Sequence, residues 1–555
     1  MGWFLLNLLQ AAFSPLDADE AYYWMYAGQL DWGYFDHPPA VAVLIALGRD
    51  WLPGTLGLRF GHVLAGTVTL AATFALLEPG KRKWAVLAAA LLLAQPMLNV
   101  YGFIATPDGP LLLFTALYLL AYRRFLRTPD LVSGGVWGLT MAGLLYSKYH
   151  GVVLILFSVL PNFGWLIRRP GAWVAVLGGA ALYLPHLYWQ YANDYPSFRY
   201  HLGGRDDPYQ FKFTTGYLLN QLLIFSPLLT YHFARAVGLR RPAGDRFGSA
   251  CRWLVIGFLI FFLWTTTKGR TEAQWTAALF IPLTYLLFTA TRRRFPTWRP
   301  LLLKLCYATI ALLFVGRLAL MAPRDWLPFA KPFDHAPWVE RLAARAGDLP
   351  VVFENSYRYA SLYTFYSGGR PAWTFTDIDY RPNQYDLWDG DQAYHNQPAL
   401  IVGQENWNYP AADTFRLNRS TMRVAKTDNL QIVRTLRFQL DGIEAGQTVG
   451  RTVPVRVTAL QPANRSDLPL RLRAGLRTDL MAIARWGDDE KSYWTLAPVK
   501  ATALLPGQPV ELFAGDLAIP AGVPAGVPVL LSIGLAYEGM PPLRGQGRVG
   551  EVVVR

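Results

Sequence analysis

Long apolar runs separated by short polar loops fill the first 321 residues of the chain. Eleven of these runs approach the length of a bilayer span, although several fall short of the about 20 residues that an untilted helix needs. They lie at residues 2–16, 55–77, 84–100, 109–122, 131–147, 151–167, 172–190, 214–237, 251–267, 273–290 and 301–320. The pattern predicts a polytopic α-helical membrane protein with about 11 transmembrane helices in residues 1–321.

The remaining apolar patterns are shorter. Residues 38–52 begin with Pro38-Pro39, and we expect a helix that lies on the membrane surface within a first outer loop of residues 17–54. Residues 322–435 mix helical and strand patterns, which predicts a soluble mixed α/β region. Residues 436–555 alternate apolar and polar positions in about seven short runs, which predicts a β-sandwich.

Charge decides the predicted orientation. Only 16% of the residues are charged and 53% are apolar, whereas soluble chains carry about 25% charge. This composition excludes a disordered chain or a coiled coil. Of the Lys and Arg in the loops between the apolar runs, 15 lie in one alternate set of loops and 7 in the other, which predicts that the first set is cytoplasmic and that residues after 321 lie outside. Residues 1–16 contain no Lys or Arg, so we expect no cleavable signal peptide there and leave open whether a segment precedes them.

Acidic residues concentrate in the predicted outer loops. Asp19 and Glu20 follow the first apolar run directly, and Asp108 begins the fourth. A carboxylate at the membrane surface can act as a general base toward a hydroxyl or amine acceptor. The alternative is structural, because Asp17 or Asp19 can cap a surface helix that begins near Glu20, and Asp108 can cap the fourth apolar helix. Asp17, Asp31 and Asp36 of the first outer loop are expected to be caps or solvated loop residues.

The outer loops are otherwise poor in Lys and Arg, so their few cations need a reason. Guanidinium groups pair bidentately with phosphate oxygens, and a lysine can hold a phosphate as a point charge. For Lys148, snorkelling toward the membrane surface is the alternative. The candidate phosphate ligands are Lys148, Arg199, Arg205, Lys268 and Arg270.

The ordered motifs of the outer loops resemble a known family. They read D-E-A-Y-Y-W (19–24), G-Y-F-D-H-P-P (33–39), T-P-D-G-P-L-L-L-F (106–114), L-Y-S-K-Y-H-G (145–151), N-D-Y-P-S-F-R-Y-H-L-G-G-R (193–205) and N-Q-Y-D-L-W (383–388). The set is similar to bacterial glycosyltransferases of the protein O-mannosyltransferase superfamily (family 39-like), which includes the aminoarabinose transferases that act on lipid A. The resemblance covers about residues 15–390 and leaves out the tail after residue 436.

This resemblance implies a GT-C fold and a polyprenyl-phosphate sugar donor. The sugar, a hexose or pentose, would pass with inversion to lipid A, another glycan, a lipid or a protein. Transfer would occur on the periplasmic side of the bacterial inner membrane. By motif, Asp19 is the general base with Glu20 beside it, and Asp108 orients the acceptor or the sugar. The residues implied to hold the donor phosphate or to line the same pocket are Lys148, Arg199, Arg205, Lys268, Arg270, Glu272, His37, Tyr22 and Tyr23.

The chemistry agrees with this assignment. A lipid phosphate is a weakly basic leaving group that needs charge stabilisation rather than a protonating acid. One base and a cationic clamp are therefore sufficient for a direct displacement. We expect no cofactor. A divalent metal is possible beside the acidic residues, but we do not favour one because a dense D-x-D motif is absent.

Two other functions remain open. A transporter or flippase of a lipid-linked sugar would share the spans and the cationic clamp, but its marks are mid-span ionisable residues and repeated halves. A non-catalytic envelope protein could bind a partner through the soluble tail. The sequence leaves open the sugar, the acceptor, the role of the tail and the oligomeric state.

Overall fold

The computed structural model describes residues 1–203, 208–322, 334–405, 407, 412–418, 420–462, 470–472, 478–487, 490–499, 502–537, 539–543 and 548–555. The chain forms two compact units, Met1–Phe333 and Asp334–Arg555. The first unit is helical, and the second contains the sheets. The domain boundaries expected at residues 321 and 435 remain predictions.

Each predicted apolar run coincides with helix in the first unit. The helices are α1 (Gly2–Phe13), α2 (Ala18–Ala27), α3 (Ala40–Arg49), α4 (Gly54–Leu77), α5 (Arg82–Leu93), α6 (Pro96–Tyr101), α7 (Asp108–Arg127), α8 (Leu131–Ser147), α9 (Gly151–Val159), α10 (Phe163–Leu166), α11 (Pro170–Ala192), α12 (Pro196–Gly203), α13 (Phe211–Ile224), α14 (Thr230–Gly238), α15 (Arg246–Thr265), α16 (Phe280–Arg293) and α17 (Trp298–Met321). Short 3₁₀ segments at Leu160–Asn162 and Ala273–Leu279 precede α10 and α16. A helix also follows Pro38-Pro39, as the sequence predicts.

The first unit has the composition of a membrane-embedded helical bundle. By length and composition, four of its described helical segments can cross a bilayer: Gly54–Leu77, Arg246–Thr265, Ala273–Arg293 and Trp298–Met321. The predicted number of about 11 spans is not confirmed. Two of the predicted spans are interrupted. Run 84–100 breaks before Pro96, and run 214–237 breaks near Ser226, whose φ is +66°.

Helices α7, α8 and α11 of the first unit pack closely against one another. A Cβ at Gly134 would lie 2.1 Å from the carbonyl oxygen of Gly171, so α8 and α11 pack backbone to backbone. Between α7 and α8, Tyr122 stacks on Trp137 with ring centroids 4.6 Å apart. These buried contacts fix α7 and α8 side by side, and both helices carry candidate site residues at their ends.

The second unit begins with helices packed on a mixed sheet. Helices α18 (Ala336–Ala346) and α19 (Tyr357–Tyr366) accompany five strands in the order β2-β1-β3-β5-β4. Strand β1 pairs in parallel with β2 and β3, whereas β5 pairs antiparallel with β3 and β4. The strands are β1 (Val351–Glu354), β2 (Ala372–Phe375), β3 (Ala399–Gly403), β4 (Asp413–Arg416) and β5 (Thr421–Thr427).

The rest of the second unit is rich in antiparallel strands, which confirms a sheet-rich C-terminal region. Five strands pair in the order β11-β10-β14-β15-β7, three in the order β13-β8-β6, and β12 pairs with β9. The strands are β6 (Arg437–Asp441), β7 (Thr448–Val449), β8 (Thr452–Leu460), β9 (Leu470–Leu472), β10 (Thr478–Trp486), β11 (Glu490–Pro498), β12 (Thr502–Leu504), β13 (Pro509–Ala518), β14 (Pro528–Tyr537) and β15 (Arg548–Val554). Contacts of β6 with β14 and β15 join the two larger sheets.

Candidate active site

The first candidate base lies in the first turn of α2. Asp17 caps this helix: its Oδ1 accepts a hydrogen bond from the backbone N of Asp19 (2.9 Å), and its own backbone N donates to Glu20 Oε2 (3.0 Å). This reciprocal capping box confirms the structural alternative for Asp17. Asp19 stands beside it, half-buried, with its carboxylate at the positive end of the helix dipole.

Glu20 is turned inward and forms an ion pair with Arg59 of α4. Arg59 Nε donates to Glu20 Oε1 (2.7 Å), and Arg59 Nη2 donates to Glu20 Oε2 (2.5 Å). Both side chains are 1% exposed or less. Burial raises the pKa of Glu20. The charge and hydrogen bonds of Arg59, together with the amides of Ala105 and Asp17, lower the pKa by more than burial raises it. The net pKa lies below the usual value, so this carboxylate stays ionised.

A second buried ion pair joins the start of α7 to the end of α8. Lys148 Nζ donates to Asp108 Oδ1 at 2.8 Å, and both side chains are less than 10% exposed. Asp108 is the first residue of α7, and the N-cap of this helix is Pro107. Of the proposed Pro107-Asp108 cap, Pro107 therefore holds the cap position, and the Asp108 carboxylate turns to Lys148.

Glu20 links the two ion pairs. Its Oε1 also accepts from the backbone N of Ala105 (2.8 Å), three residues before Asp108. Three residues of extended chain span at most about 11 Å, so Asp108 and Lys148 lie close to the start of α2. The charges of Asp17, Asp108 and Glu272 all act on the hydroxyl of Tyr101 at the end of α6. The first turns of α2 and α7 and the last turns of α6 and α8 therefore meet at one end of the bundle.

Aromatic side chains pack the first outer loop against α2. Tyr26 stacks on Tyr34 with centroids 4.1 Å apart, and Tyr26 Oη donates to Asp36 Oδ1 at 2.5 Å. Burial and the Asp36 carboxylate raise the pKa of Tyr26 well above its usual value. Asp36 is 5% exposed, so it is not the solvated loop residue that the sequence allowed.

Two further tyrosines of α2 are also buried. Tyr22 and Tyr23 both pack within the first unit, and the Tyr23 ring lies 5.6 Å from His37. His37 lies 6.4 Å from the ring of His201 on α12. Of these three predicted pocket residues, Tyr22 and Tyr23 are therefore buried and His37 is half-buried.

Helix α11 holds the same loop from the other side. His186 Nδ1 lies 2.7 Å from the backbone oxygen of Trp32, and Trp189 Nε1 donates to Asp31 Oδ2 at 2.7 Å. Ser197 Oγ of α12 donates to the backbone oxygen of Tyr34 at 2.9 Å. The loop between α2 and α3 is thus fixed on the bundle rather than free.

The other predicted phosphate ligands are placed differently. Arg199 donates twice to Asp194, and its side chain is 66% exposed. Arg270 Nε lies 3.4 Å from Glu272 Oε1 in a largely exposed pair, and Lys268 is exposed. Arg205 lies outside the described residues. The structure therefore pairs Asp108 with Lys148 and ties Glu20, the neighbour of Asp19, to the chain three residues before Asp108. It places Arg199 in a separate exposed pair.

No group of three His, Cys, Asp or Glu side chains within the described residues lies close enough to hold a metal ion. The roles assigned to the site residues, and the expectation that no metal or cofactor is required, remain predictions.

Sequence reasoning missed Arg59. The signal was present, because a single Arg interrupts the apolar run 55–77, and a charge inside such a run is rare unless it is paired. Its partner lies 39 residues earlier in the chain, which is why no local motif joins the two.

Comparisons with known proteins agree with this architecture. Residues 36–189 match the family described as dolichyl-phosphate-mannose-protein mannosyltransferase. The segment includes Arg59, Asp108 and Lys148. Among curated proteins, the lipid A galacturonosyltransferase RgtD of Rhizobium johnstonii is 26% identical over 216 residues, which are 36% of this chain and 44% of that protein. The chain thus matches less than half the length of this relative.

Two solved structures of ArnT from Cupriavidus metallidurans share the fold. The apo structure aligns with a TM-score of 0.58 at 13% identity, covering 76% of this chain and 95% of ArnT. The structure bound to undecaprenyl phosphate aligns with a TM-score of 0.59 at 14% identity, covering 76% and 96%. The chain thus resembles ArnT in fold, and part of its sequence is similar to the protein O-mannosyltransferase family and to a lipid A glycosyltransferase.

Proposed function

We propose that the chain transfers a sugar from a polyprenyl-phosphate donor to an envelope acceptor on the periplasmic side of a bacterial inner membrane. The observation that supports this proposal is the hydrogen bond from Ala105, three residues before the Asp108–Lys148 pair, to Glu20, the neighbour of Asp19. The names of the relatives support the substrate classes, because one acts on lipid A and another binds undecaprenyl phosphate. The acceptor is lipid A, another glycan, a lipid or a protein.

Asp19 acts as the general base in this proposal. It takes the proton from the acceptor hydroxyl or amine while the acceptor atom forms its bond to the anomeric carbon. The bond between that carbon and the phosphate oxygen breaks, and the electron pair leaves with the lipid phosphate. The configuration is inverted because attack and departure occur on opposite faces. A positioned base of this kind contributes about 10²–10⁴-fold to the rate.

Lys148 and Asp108 serve the donor. The ammonium group of Lys148 has three N–H bonds, and the ion pair shown here engages one of them with Asp108. The remaining donors can bind a phosphate oxygen as negative charge develops on the leaving group. Asp108 keeps the ammonium group in place and orients the sugar or the acceptor. Because the cation stabilises a weakly basic leaving group, the proposed reaction requires no metal.

The test compares three versions of the full-length chain in a host that lacks its own copy: wild type, Asp19→Asn and Asp50→Asn. Asp50 is an exposed acid of the same outer loop, and its side chain is 80% exposed. Mass spectrometry of envelope lipids and glycans should show one sugar added by the wild type and by Asp50→Asn, and absent with Asp19→Asn. Purified protein treated with EDTA should keep its transfer rate.

Two results would contradict the proposal. Full transfer by Asp19→Asn would remove Asp19 as the base. If vesicles that contain the purified protein move a lipid-linked sugar across their membrane and form no transferred product, the protein is a transporter or flippase instead.

A further inference from the structure

The Glu20–Arg59 pair is saturated with hydrogen bonds. The five N–H groups of Arg59 each donate once: to both oxygens of Glu20 and to the backbone oxygens of Ala11 (3.2 Å), Ser14 (3.0 Å) and Pro15 (2.7 Å). Each Glu20 oxygen accepts one bond from Arg59 and one from a backbone amide. A carboxylate with this set of partners has no lone pair left to take a proton from a substrate.

These bonds fix four segments relative to one another. They hold the carbonyl end of α1, the first turn of α2, the second turn of α4 and the loop before α7. Asp19 immediately precedes Glu20, and Asp108 follows Ala105 by three residues. The pair therefore sets where the proposed base stands relative to the Asp108–Lys148 pair.

The anchor extends to the last helix of the bundle. Gln10 Nε2 donates to Ser14 Oγ (2.6 Å), and Arg317 Nε of α17 donates to Gln10 Oε1 (3.1 Å). Arg317 Nη2 also donates to Asn7 Oδ1 (2.5 Å). Because α1 is bound both to α17 and to Arg59, the carbonyl groups that receive Arg59 are themselves immobilised.

We infer that Arg59 and Glu20 are positioning residues that act as one unit to hold Asp19 and Asp108 in register, and that Glu20 is not a second base. This inference rests on the proposed function, because it assigns the base role to Asp19. It revises the expectation that Glu20 takes part in the chemistry. The reason is geometric: the side chain of Glu20 points into the bundle, whereas Asp19 remains half-buried at its end.

The experiment uses the full-length protein in nanodiscs with the variants Arg59→Lys, Glu20→Gln and the double variant. Lysine keeps the charge opposite Glu20 but cannot reproduce the five-donor fork of arginine. Arg49→Lys is the matched control, since Arg49 packs over Trp24 and forms a long pair, 3.9 Å, with exposed Asp50. Undecaprenyl phosphate is the binding probe, and transfer is measured with a lipid extract of the source cells as donor.

Positioning predicts a specific division of effects. Turnover by Arg59→Lys and Glu20→Gln should fall by about 100-fold, the cost of a small displacement of reacting groups. Affinity for undecaprenyl phosphate should stay within about threefold of the wild type, because Lys148 is untouched. The double variant should lose no more than the worse single variant, since both changes disable one unit. The residual activity should keep the pH profile of the wild type.

The outcomes separate this inference from the proposed function. If Asp19→Asn is inactive while Arg59→Lys retains full turnover, the base stands and the positioning role is wrong. If Asp19→Asn is fully active, Asp19 is not the base, and the proposed function is wrong whatever the Arg59 and Glu20 variants show. Glu20→Gln that abolishes the acid limb of the pH profile, while Arg59→Lys leaves turnover intact, would make Glu20 the base. A purely structural pair would lower the melting temperature of both variants without changing the turnover of the protein that remains folded.

Discussion

Lys148 and Asp108 form a buried ion pair between the end of α8 and the start of α7, with Nζ and Oδ1 2.8 Å apart. Removing either partner leaves the other charge buried without its counter-ion, which costs about 3–5 kcal/mol. Removing both costs less, because no unpaired charge remains. The pair therefore stabilises the contact between α7 and α8, and it is also the proposed phosphate site.

The first prediction follows from this double role. Asp108→Ala should lower the melting temperature of the detergent-solubilised protein strongly, and Asp108→Ala with Lys148→Met should recover much of the loss. The two variants should differ in their affinity for undecaprenyl phosphate. Asp108→Ala keeps the Lys148 ammonium group and should bind more tightly than the double variant, which lacks it. Lys268→Ala is the control, because that exposed lysine should leave the melting temperature unchanged. Equal melting temperatures for the single and double variants would contradict the buried-pair argument.

The second prediction concerns the close approach of the first outer loop to α11. A Cβ at Gly33 would lie 2.4 Å from Cε3 of the Trp189 ring, and the Trp189 indole is held by Asp31. Gly33→Ala should therefore destabilise the loop by about 1–3 kcal/mol. Limited proteolysis should cut the loop of the variant faster than that of the wild type.

Gly135→Ala provides the matched control for this change. Gly135 lies in α8, and a Cβ there would meet nothing within 4 Å. Alanine has the higher helix propensity, so this variant should be as stable as the wild type or slightly more so. If Gly33→Ala and Gly135→Ala resist proteolysis equally, the loop does not depend on the contact with Trp189.

The third prediction contrasts two ion pairs of the second unit. Arg434 donates to both oxygens of the fully buried Asp391 and to the backbone oxygen of Trp388 (2.6 Å). Arg456 pairs with Glu511 at 3.1 Å, but both side chains are about half exposed or more. Arg434→Ala should cost about 3–5 kcal/mol of unfolding free energy, whereas Arg456→Ala should cost less than about 1 kcal/mol.

Hydrogen exchange of peptides in the second unit measures this difference directly in the full chain. Protection in β10 and β14, which pair with each other, should fall strongly for Arg434→Ala and hardly change for Arg456→Ala. Similar loss of protection in the two variants would show that burial does not distinguish the pairs.

Local sequence pattern predicted the elements of the fold better than their partners. Apolar runs located the helices of the first unit, and Pro38-Pro39 marked the start of α3. The breaks before Pro96 and at Ser226 were missed because hydropathy alone does not register backbone geometry. The span count remains unconfirmed, since several runs are apolar and helical but shorter than the about 20 residues of an untilted span.

The candidate site shows the same limit at the level of side chains. The motifs selected Asp19, Asp108 and Lys148, and the fold does bring the last two into contact. Glu20 and Asp19 look equivalent in the sequence, but the helix turns one inward to Arg59 and leaves the other near the surface. Arg199 was expected to bind a phosphate, but its guanidinium group pairs with the Asp194 carboxylate instead. These outcomes depend on long-range packing, which a local motif does not contain.

The last prediction concerns a buried acid at the end of β1. Glu354 is 3% exposed, and one of its carboxylate oxygens accepts from the backbone N of Gln404 at 2.8 Å. Burial raises the pKa of Glu354 to about 7; the Gln404 amide opposes this shift and the Asp377 charge adds to it. The folded unit therefore keeps a proton that the unfolded chain releases near its ordinary value of 4.5.

The sign of the pH dependence follows from this proton. Between about pH 4.5 and 7 the folded state binds more protons than the unfolded state, so the free energy of unfolding falls as the pH rises, by about 3 kcal/mol in total. Above about pH 7 both states are ionised and the decline ends. Hydrogen exchange in β1, corrected for intrinsic rates, should show higher protection at pH 5 than at pH 8. Glu354→Gln, which is neutral at every pH, should remove this difference, whereas the exposed control Glu444→Gln should retain it. A pH dependence that survives in Glu354→Gln would have to come from another group.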